Sequence, residues 1–91
     1  MILEIVTPEA TLFEGQVEAV TVPGLNGEFQ ILNNHAAIVS ILGKGTIKIK
    51  GNITIDEAFK AKFGADNGAT TLAISSGTIE MNDNKIIVLA D

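Results

Sequence analysis

Apolar and polar residues alternate with a period of two along most of this chain, which is typical of β-strands with one buried face. The clearest stretch runs from Thr46 to Ile55, with four isoleucines on one face and Lys, Asn and Thr on the other. Glycine, proline and asparagine interrupt the alternation at close intervals. The pattern predicts about nine short strands, at residues 3–7, 11–14, 17–22, 27–32, 36–42, 46–55, 70–75, 78–81 and 85–89.

Two segments depart from simple alternation. Residues 36–42 form a near-continuous apolar run, which predicts a strand covered on both faces. Residues 56–63 fit two structures. Asp56 is a suitable N-cap for a short helix, which we favour, whereas Phe59, Ala61 and Phe63 also alternate as in a strand leading into a hairpin loop. The chain is therefore predicted to be one all-β domain, residues 1–91, folded as an antiparallel β-sandwich with at most one short helix.

Composition excludes several classes of function. Eleven acidic residues outnumber six lysines, there is no arginine, and the formal net charge is −5, which disfavours nucleic-acid binding. No cysteine and a single histidine leave no metal-ligand cluster. The apolar run 36–42 is far too short to span a bilayer, so we expect no direct membrane insertion.

No catalytic arrangement stands out. Ser40, His35 and Glu28 form a serine triad only in the sense that any chain with one histidine offers such a combination. Gly24 and Gly27 lie in a turn without the lysine and following helix of a phosphate loop. We therefore predict no enzyme activity and no cofactor. The residues alone indicate an acidic β-sandwich that serves in binding or assembly.

Three stretches resemble the epsilon subunits of F-type ATP synthases: residues 3–15, with Thr7-Pro8-Glu9 and Phe13-Glu14-Gly15; residues 22–36, where Gly27-Glu28 leads to His35-Ala36; and residues 76–91, which finish on Val-Leu-Ala-Asp. They occur in the family's order and span the chain. Three features depart from the family's pattern. Asn33-Asn34-His35-Ala36-Ala37 replaces the commoner Pro-Gly-His-Ala-Pro, residues 51–69 are longer than the usual hairpin, and the sequence stops at Asp91, where two C-terminal helices normally begin.

The resemblance implies a non-catalytic rotor subunit in a hetero-oligomeric complex, peripheral at the cytoplasmic face of the energy-transducing membrane. It would bind the gamma subunit and the c-ring and couple proton-driven rotation to ATP synthesis. Without the C-terminal helices, it would lack their inhibitory action on ATP hydrolysis and bind no ATP. The resemblance places the c-ring contact at Pro23, Gly24, Asn26, Gly27, Glu28, Phe29 and Gln30, and the gamma contact at Thr7, His35, Ile38 and Ser40.

Alternatives remain for these assignments. The alternative for residues 23–30 is an ordinary solvated hairpin. Ile38 lies in a strand so apolar that it fits a plain core position as well as an interface. A free-standing β-sandwich adaptor is the alternative for the whole chain, and binding to gamma would separate the two hypotheses.

Overall fold

The computed structural model describes residues 1–91 and is all-β, as the alternation predicted. The strands are β1 (Ile2–Val6), β2 (Thr11–Gln16), β3 (Ala19–Gly24), β4 (Gly27–Leu32), β5 (Ile38–Leu42), β6 (Gly45–Lys50), β7 (Phe63–Asp66), β8 (Ala69–Ile74), β9 (Gly77–Asn82) and β10 (Lys85–Ala90). A 3-10 helix covers Glu57–Lys62. Each of the nine predicted strands is present, and β7 is additional.

The strands form one curled sheet in the order β2-β1-β10-β9-β5-β3-β6-β8-β7, with β4 paired to β3. We call β2, β1, β10, β9 and β5 the first half, and β4, β3, β6, β8 and β7 the second half. The halves are joined where Gly24 of β3 pairs with Leu42 of β5. All pairs are antiparallel except β1 with β10, which is parallel and corrects the purely antiparallel prediction. Those two strands lie at opposite ends of the sequence, so no hairpin links them and no local pattern reports their direction.

The two halves fold over a single apolar core of 19 buried residues, with no buried polar side chain. Alternate residues of each strand point into it, for example Leu3 and Ile5 from β1 and Ile47 and Ile49 from β6. Because these side chains are fully buried, each contributes roughly 1.5–3 kcal/mol relative to the exposed state.

Strand β5 corrects a prediction about burial. Leu42 is buried and Ile38 and Ser40 are partly buried, but Val39 and Ile41 on the opposite face are exposed. The strand is therefore covered on one face only in the folded chain, not on both. Alternation along β5, rather than its overall apolar character, decides which side chains are covered.

The ambiguous region forms the favoured short helix, as a 3-10 helix at Glu57–Lys62, and the alternative strand through Phe59 and Ala61 is not formed. Strand β6 ends at Lys50, before the predicted limit of Ile55, because Gly51 adopts a φ of 148° that breaks the ladder. The Asp56 carboxylate caps the 3-10 helix by accepting a hydrogen bond of 2.9 Å from the Ala58 N–H. After the helix, β7 and β8 form a hairpin whose Asn67-Gly68 turn has positive φ at both residues.

The strand directions place the turns at two opposite ends. At one end, which we call the tip end, lie the Leu25-Asn26 turn and the connections around Gly43 and Ser76, because Gly24 pairs with Leu42 and Leu42 pairs with Gly77. At the other, the loop end, the loop 33–37 contacts the turn between β9 and β10. A residue at the tip end and a residue at the loop end are therefore separated by the length of a strand.

Candidate protein-interaction surfaces

The outer face of the first half carries apolar side chains in register. One row across the strands contains Ile41, Thr78, Leu89 and Val6, and the next contains Val39, Glu80, Ile87 and Glu4. Val39 is 79% exposed, Ile41 60% and Leu89 52%, while Val6 and Ile87 are partly buried. We call these five apolar residues the apolar face. The residues of β9 between them are Thr78 and Glu80. A cluster of exposed apolar side chains on a sheet surface is typical of a site of contact with another protein.

Carboxylates interrupt and border the apolar face. Glu80 lies between Val39 and Ile87, and Glu4 pairs across the strands with Glu14. The Lys85 ammonium lies 3.7 Å from Glu4, whereas Glu14 and Glu80 make no ion pair. The face therefore combines apolar contact area with net negative charge, which suits a partner surface with apolar and basic side chains.

The outer face of the second half is mostly polar, and its one large exposed apolar side chain is Leu32, 54% exposed at the end of β4. Thr21, Lys48 and Thr71 lie in one row across β3, β6 and β8, and Gln30 pairs with Thr21 from β4. The Glu28 carboxylate lies 3.5 Å from the Lys48 ammonium on this surface. The contrast between two outer faces of one sheet distinguishes the apolar face from the scattered exposed apolar residues of any protein surface.

An open cavity of about 550 Å³ adjoins the apolar face at the tip end. Its walls include Val6, Pro8, Ile41, Leu89 and Ala90. Ser76 donates a hydrogen bond to the Asp91 carboxylate at its edge. The cavity is wide enough to receive a large apolar side chain from a protein that covers the apolar face.

The four residues predicted to contact gamma are not brought together. Thr7 follows β1 at the tip end, where its hydroxyl donates to the Ala10 carbonyl oxygen, while His35 lies exposed in the loop at the opposite end. Ile38 and Ser40 are on the inner side of β5, and Ser40 is in register with the buried Ile79. Thr7 and His35 therefore flank the first half at its two ends.

The exposed residues between those ends are the apolar face, which the sequence reasoning missed on β5. The resemblance placed the gamma contact of β5 at Ile38 and Ser40, whereas Val39 and Ile41 on the opposite face of the strand are the ones exposed in the free chain. A usable signal was present in the sequence. Leu42 ends the run directly before a Gly-Lys-Gly turn, and taking it as buried would have placed Val39 and Ile41 outside.

The residues predicted to contact the c-ring lie on the β3–β4 hairpin, but they are not equally available. Asn26 is exposed in the turn, whereas Phe29 is partly buried and packs against the core, and Glu28 is engaged by Lys48. Leu25 was not predicted, yet it is 66% exposed in the turn itself. A leucine surrounded by Pro, Gly and Asn in a turn was the signal for it, since such turns rarely need an apolar residue.

Other kinds of site are not evident among these residues. No group of three or more His, Asp or Glu side chains is positioned to bind a metal ion. The three residues considered for a serine triad lie apart: Ser40 is on β5, His35 is in the 33–37 loop, and Glu28 is on β4 of the second half. They do not form a triad. The structure contains no helix of the length and apolar character needed to cross a membrane.

Comparison with known proteins gives consistent matches. The family described as "ATP synthase, Delta/Epsilon chain, beta-sandwich domain" matches residues 1–91. The ATP synthase epsilon chain of Campylobacter jejuni strain 81-176 is 39% identical over 87 residues, which are 96% of this chain and 57% of that protein. The epsilon chain of Chlorobaculum tepidum is 33% identical over 89 residues, 98% of this chain and 86% of that protein.

Among solved structures, the central stalk and c-ring assembly of the Tetrahymena thermophila mitochondrial ATP synthase contains a chain of similar fold. The TM-score is 0.76 at 16% identity, covering 99% of this chain and 62% of that chain. This likeness concerns the fold. Against the Campylobacter protein, the present chain spans a little over half of the relative's length.

Proposed function

Because the chain belongs to the delta/epsilon chain β-sandwich family of ATP synthase, we propose that it is a non-catalytic subunit of the central stalk that binds both the gamma subunit and the c-ring. In this role it catalyses no reaction and transmits rotation of the ring to the catalytic head. It is peripheral at the cytoplasmic face of the membrane and is held there by its partners. The observation that carries the proposal is the apolar outer face of the first half, beside a mostly polar outer face on the second.

Gamma docks on the apolar face in this proposal. A torque-transmitting contact must be rigid, and a sheet face presents side chains in a fixed register, unlike a loop. Ile41 and Leu89 project from different strands into one apolar row, and the adjacent cavity accepts an anchoring side chain of gamma. Glu80 lies within the face and Glu14 beside it, and each forms an ion pair with a basic group of gamma at the rim.

Thr7 and His35 remain gamma contacts in this proposal. They lie at the two ends of the strands that carry the apolar face, so a partner that covers the whole face reaches both. Ile38 and Ser40 lie on the inner side of β5. In this proposal they do not contact gamma but support the strand that carries Val39 and Ile41. A charge introduced at Ser40 would therefore test the core as much as the interface.

The c-ring docks on the tip end through the Leu25-Asn26 turn. Leu25 supplies exposed apolar area at a point that projects from the sheet, and Asn26 supplies an adjacent polar group. Pro23, Gly24 and Gly27 shape the turn: a Cβ at Gly24 would lie 2.8 Å from the Gly27 carbonyl oxygen, so only glycine fits there. The strand that supports the turn contains Glu28, Phe29 and Gln30. Glu28 contacts the ring at the rim of the interface by exchanging its ion pair with Lys48 for one with a basic group of the ring.

Binding to gamma and recovery of coupling test the function. Titration of the chain into a catalytic core containing gamma should give saturable binding with a stoichiometry of one. Membrane vesicles stripped of this subunit should regain ATP-driven proton pumping when the chain is returned. A folded chain that binds neither gamma nor the ring would reject the proposal and favour the free-standing adaptor.

A further inference from the structure

The loop that carries His35 is held by two distant groups, the Asn84 side chain and the N-terminal ammonium of Met1, which donates to Asn33 Oδ1 at 3.2 Å. Residues 32–35 form a turn in which the His35 N–H donates to the Leu32 carbonyl oxygen at 3.1 Å. Asn34 adopts a φ of 63°, a conformation that costs energy for residues other than glycine. Asn84 lies 50 residues further along the chain, and its Oδ1 accepts a hydrogen bond of 2.7 Å from the Asn34 N–H.

The same side chain makes a second bond to the loop. The Nδ2 group of Asn84 donates to Oδ1 of Asn33 at 2.8 Å, so donor and acceptor of one amide are both used. The Asn84 carbonyl oxygen also accepts from the Ile2 N–H at 3.1 Å, which ties the turn to β1. Asn84 thus joins the loop, the β9–β10 turn and the first strand.

The turn itself does not require asparagine at this position. Asp83 and Asn84 have φ values of 50° and 60°, as in a two-residue hairpin turn with both central residues left-handed. Glycine is the favoured residue at the second position, and the β7–β8 hairpin of this same molecule has Asn67-Gly68 there. The Asn84 side chain makes no bond within its own turn, and both of its bonds reach the loop.

We propose that Asn84 is a positioning residue that holds the 33–37 loop, and with it His35, in the conformation that gamma binds. The proposal rests on the docking of gamma described above. Holding the loop before contact lowers the conformational entropy that binding would otherwise remove. His35 is exposed and bonds only to its neighbour, the Ala36 carbonyl oxygen, so the backbone of the loop determines where its ring lies.

The decisive variant is Asn84→Gly, with Asp83→Gly as its matched control. Both place glycine in the same turn at a left-handed position, and glycine is compatible with each. Only Asn84→Gly removes bonds to the loop, since no hydrogen bond of the Asp83 side chain is present. Asn84→Asp keeps the acceptor for Asn34 but places a carboxylate oxygen against Asn33 Oδ1, so the Asn33 side chain should turn away while the bond to the Asn34 N–H remains.

Two measurements distinguish whether Asn84 holds the loop from whether gamma binds the held loop. In the free chain, Asn34 amide exchange should be roughly tenfold faster in Asn84→Gly than in Asp83→Gly. Affinity for gamma should fall about three- to tenfold in Asn84→Gly and stay unchanged in Asp83→Gly, measured at a temperature where both variants are folded. In a His35→Ala background the Asn84→Gly loss should shrink, which a general structural defect would not cause.

The outcomes are distinguishable. Unchanged Asn34 exchange in Asn84→Gly would overturn the holding role. Faster exchange with unchanged gamma affinity would overturn the use of the held loop in docking, while gamma binding by the wild-type chain would leave the proposed function standing. Failure of the wild-type chain to bind gamma would reject the proposed function and the loop's part in it together, although amide exchange would still decide whether Asn84 holds the loop.

Discussion

Replacing the two exposed apolar residues of β5 tests the apolar face directly. The double variant Val39→Thr, Ile41→Thr keeps β-branched side chains, so the preference of the strand for extended backbone is retained. It replaces apolar area with hydroxyl groups at positions that are 79% and 60% exposed in the free chain. The change should therefore act mainly on the docked state.

The expected size follows from those exposed fractions. Full burial of a valine or isoleucine side chain contributes about 1.5–3 kcal/mol, so covering the exposed part of each contributes about 1–2 kcal/mol on docking. The pair should lose about 2–4 kcal/mol of binding free energy, or roughly 30- to 700-fold in Kd for gamma. The buried fraction lost from the free chain is smaller, so its stability should fall by only about 1 kcal/mol or less.

Titration calorimetry against a gamma-containing catalytic core provides the assay, with urea unfolding to establish the fold. Leu25→Thr is the matched control. Leu25 is 66% exposed, close to the 60% of Ile41, but it lies at the tip end and outside the apolar face. This control should leave gamma affinity unchanged. If the folded double variant binds gamma as tightly as the wild type, the assignment of gamma to this face is refuted. If Leu25→Thr loses as much gamma affinity as the double variant, the effect is not specific to the apolar face.

Three further variants test other parts of the structure. Leu25→Ser should weaken docking to the c-ring by about 1–2 kcal/mol with gamma affinity intact, and ring binding equal to wild type in sedimentation would contradict it. Gly77→Ala should cost about 1–3 kcal/mol in urea unfolding, because its Cβ would lie 2.5 Å from the Leu89 carbonyl oxygen; an unchanged midpoint would oppose this. Asp56→Ala should lose about 0.5–1 kcal/mol by removing the cap on the Ala58 N–H, whereas Asp56→Asn should lose less; equal losses would exclude capping.

Local pattern predicted the strands well because each strand buries one face. Alternation and the apolar run at 36–42 located nine of the ten strands, and Pro, Gly and Asn located their turns. It failed where a distant contact decides the structure. The parallel pairing of β1 with β10 depends on which strand lies next in space. Two local features were missed as well: β7 is a short strand in a hairpin with β8, and Gly51 ends β6 through its backbone conformation although alternation continues to Ile55.

The candidate surfaces were predicted less completely, for a related reason. Resemblance indicated residues of the 23–30 hairpin for the c-ring and Thr7, His35, Ile38 and Ser40 for gamma, but exposure at single positions depends on the phase of each strand. Leu25 and Val39 are large apolar residues, and composition alone favours placing such residues in the core. Their exposure follows from local context instead, from the phase that Leu42 sets on β5 and from the turn around Leu25.

The error over β5 is informative about the proposed complex. Residues 36–42 have the near-continuous apolar pattern of a strand covered on both faces, yet in the folded chain Val39 and Ile41 are exposed. If gamma covers the apolar face, both sides of β5 become buried, and the pattern describes the strand in the complex and not in the free chain. The pairing of β5 with β9 should then be protected by docking: the amides of β5 should exchange more slowly in the gamma complex, while those of β6 and β8 on the polar half should not change. Equal protection of both halves would mean that gamma stabilises the whole fold without covering this face.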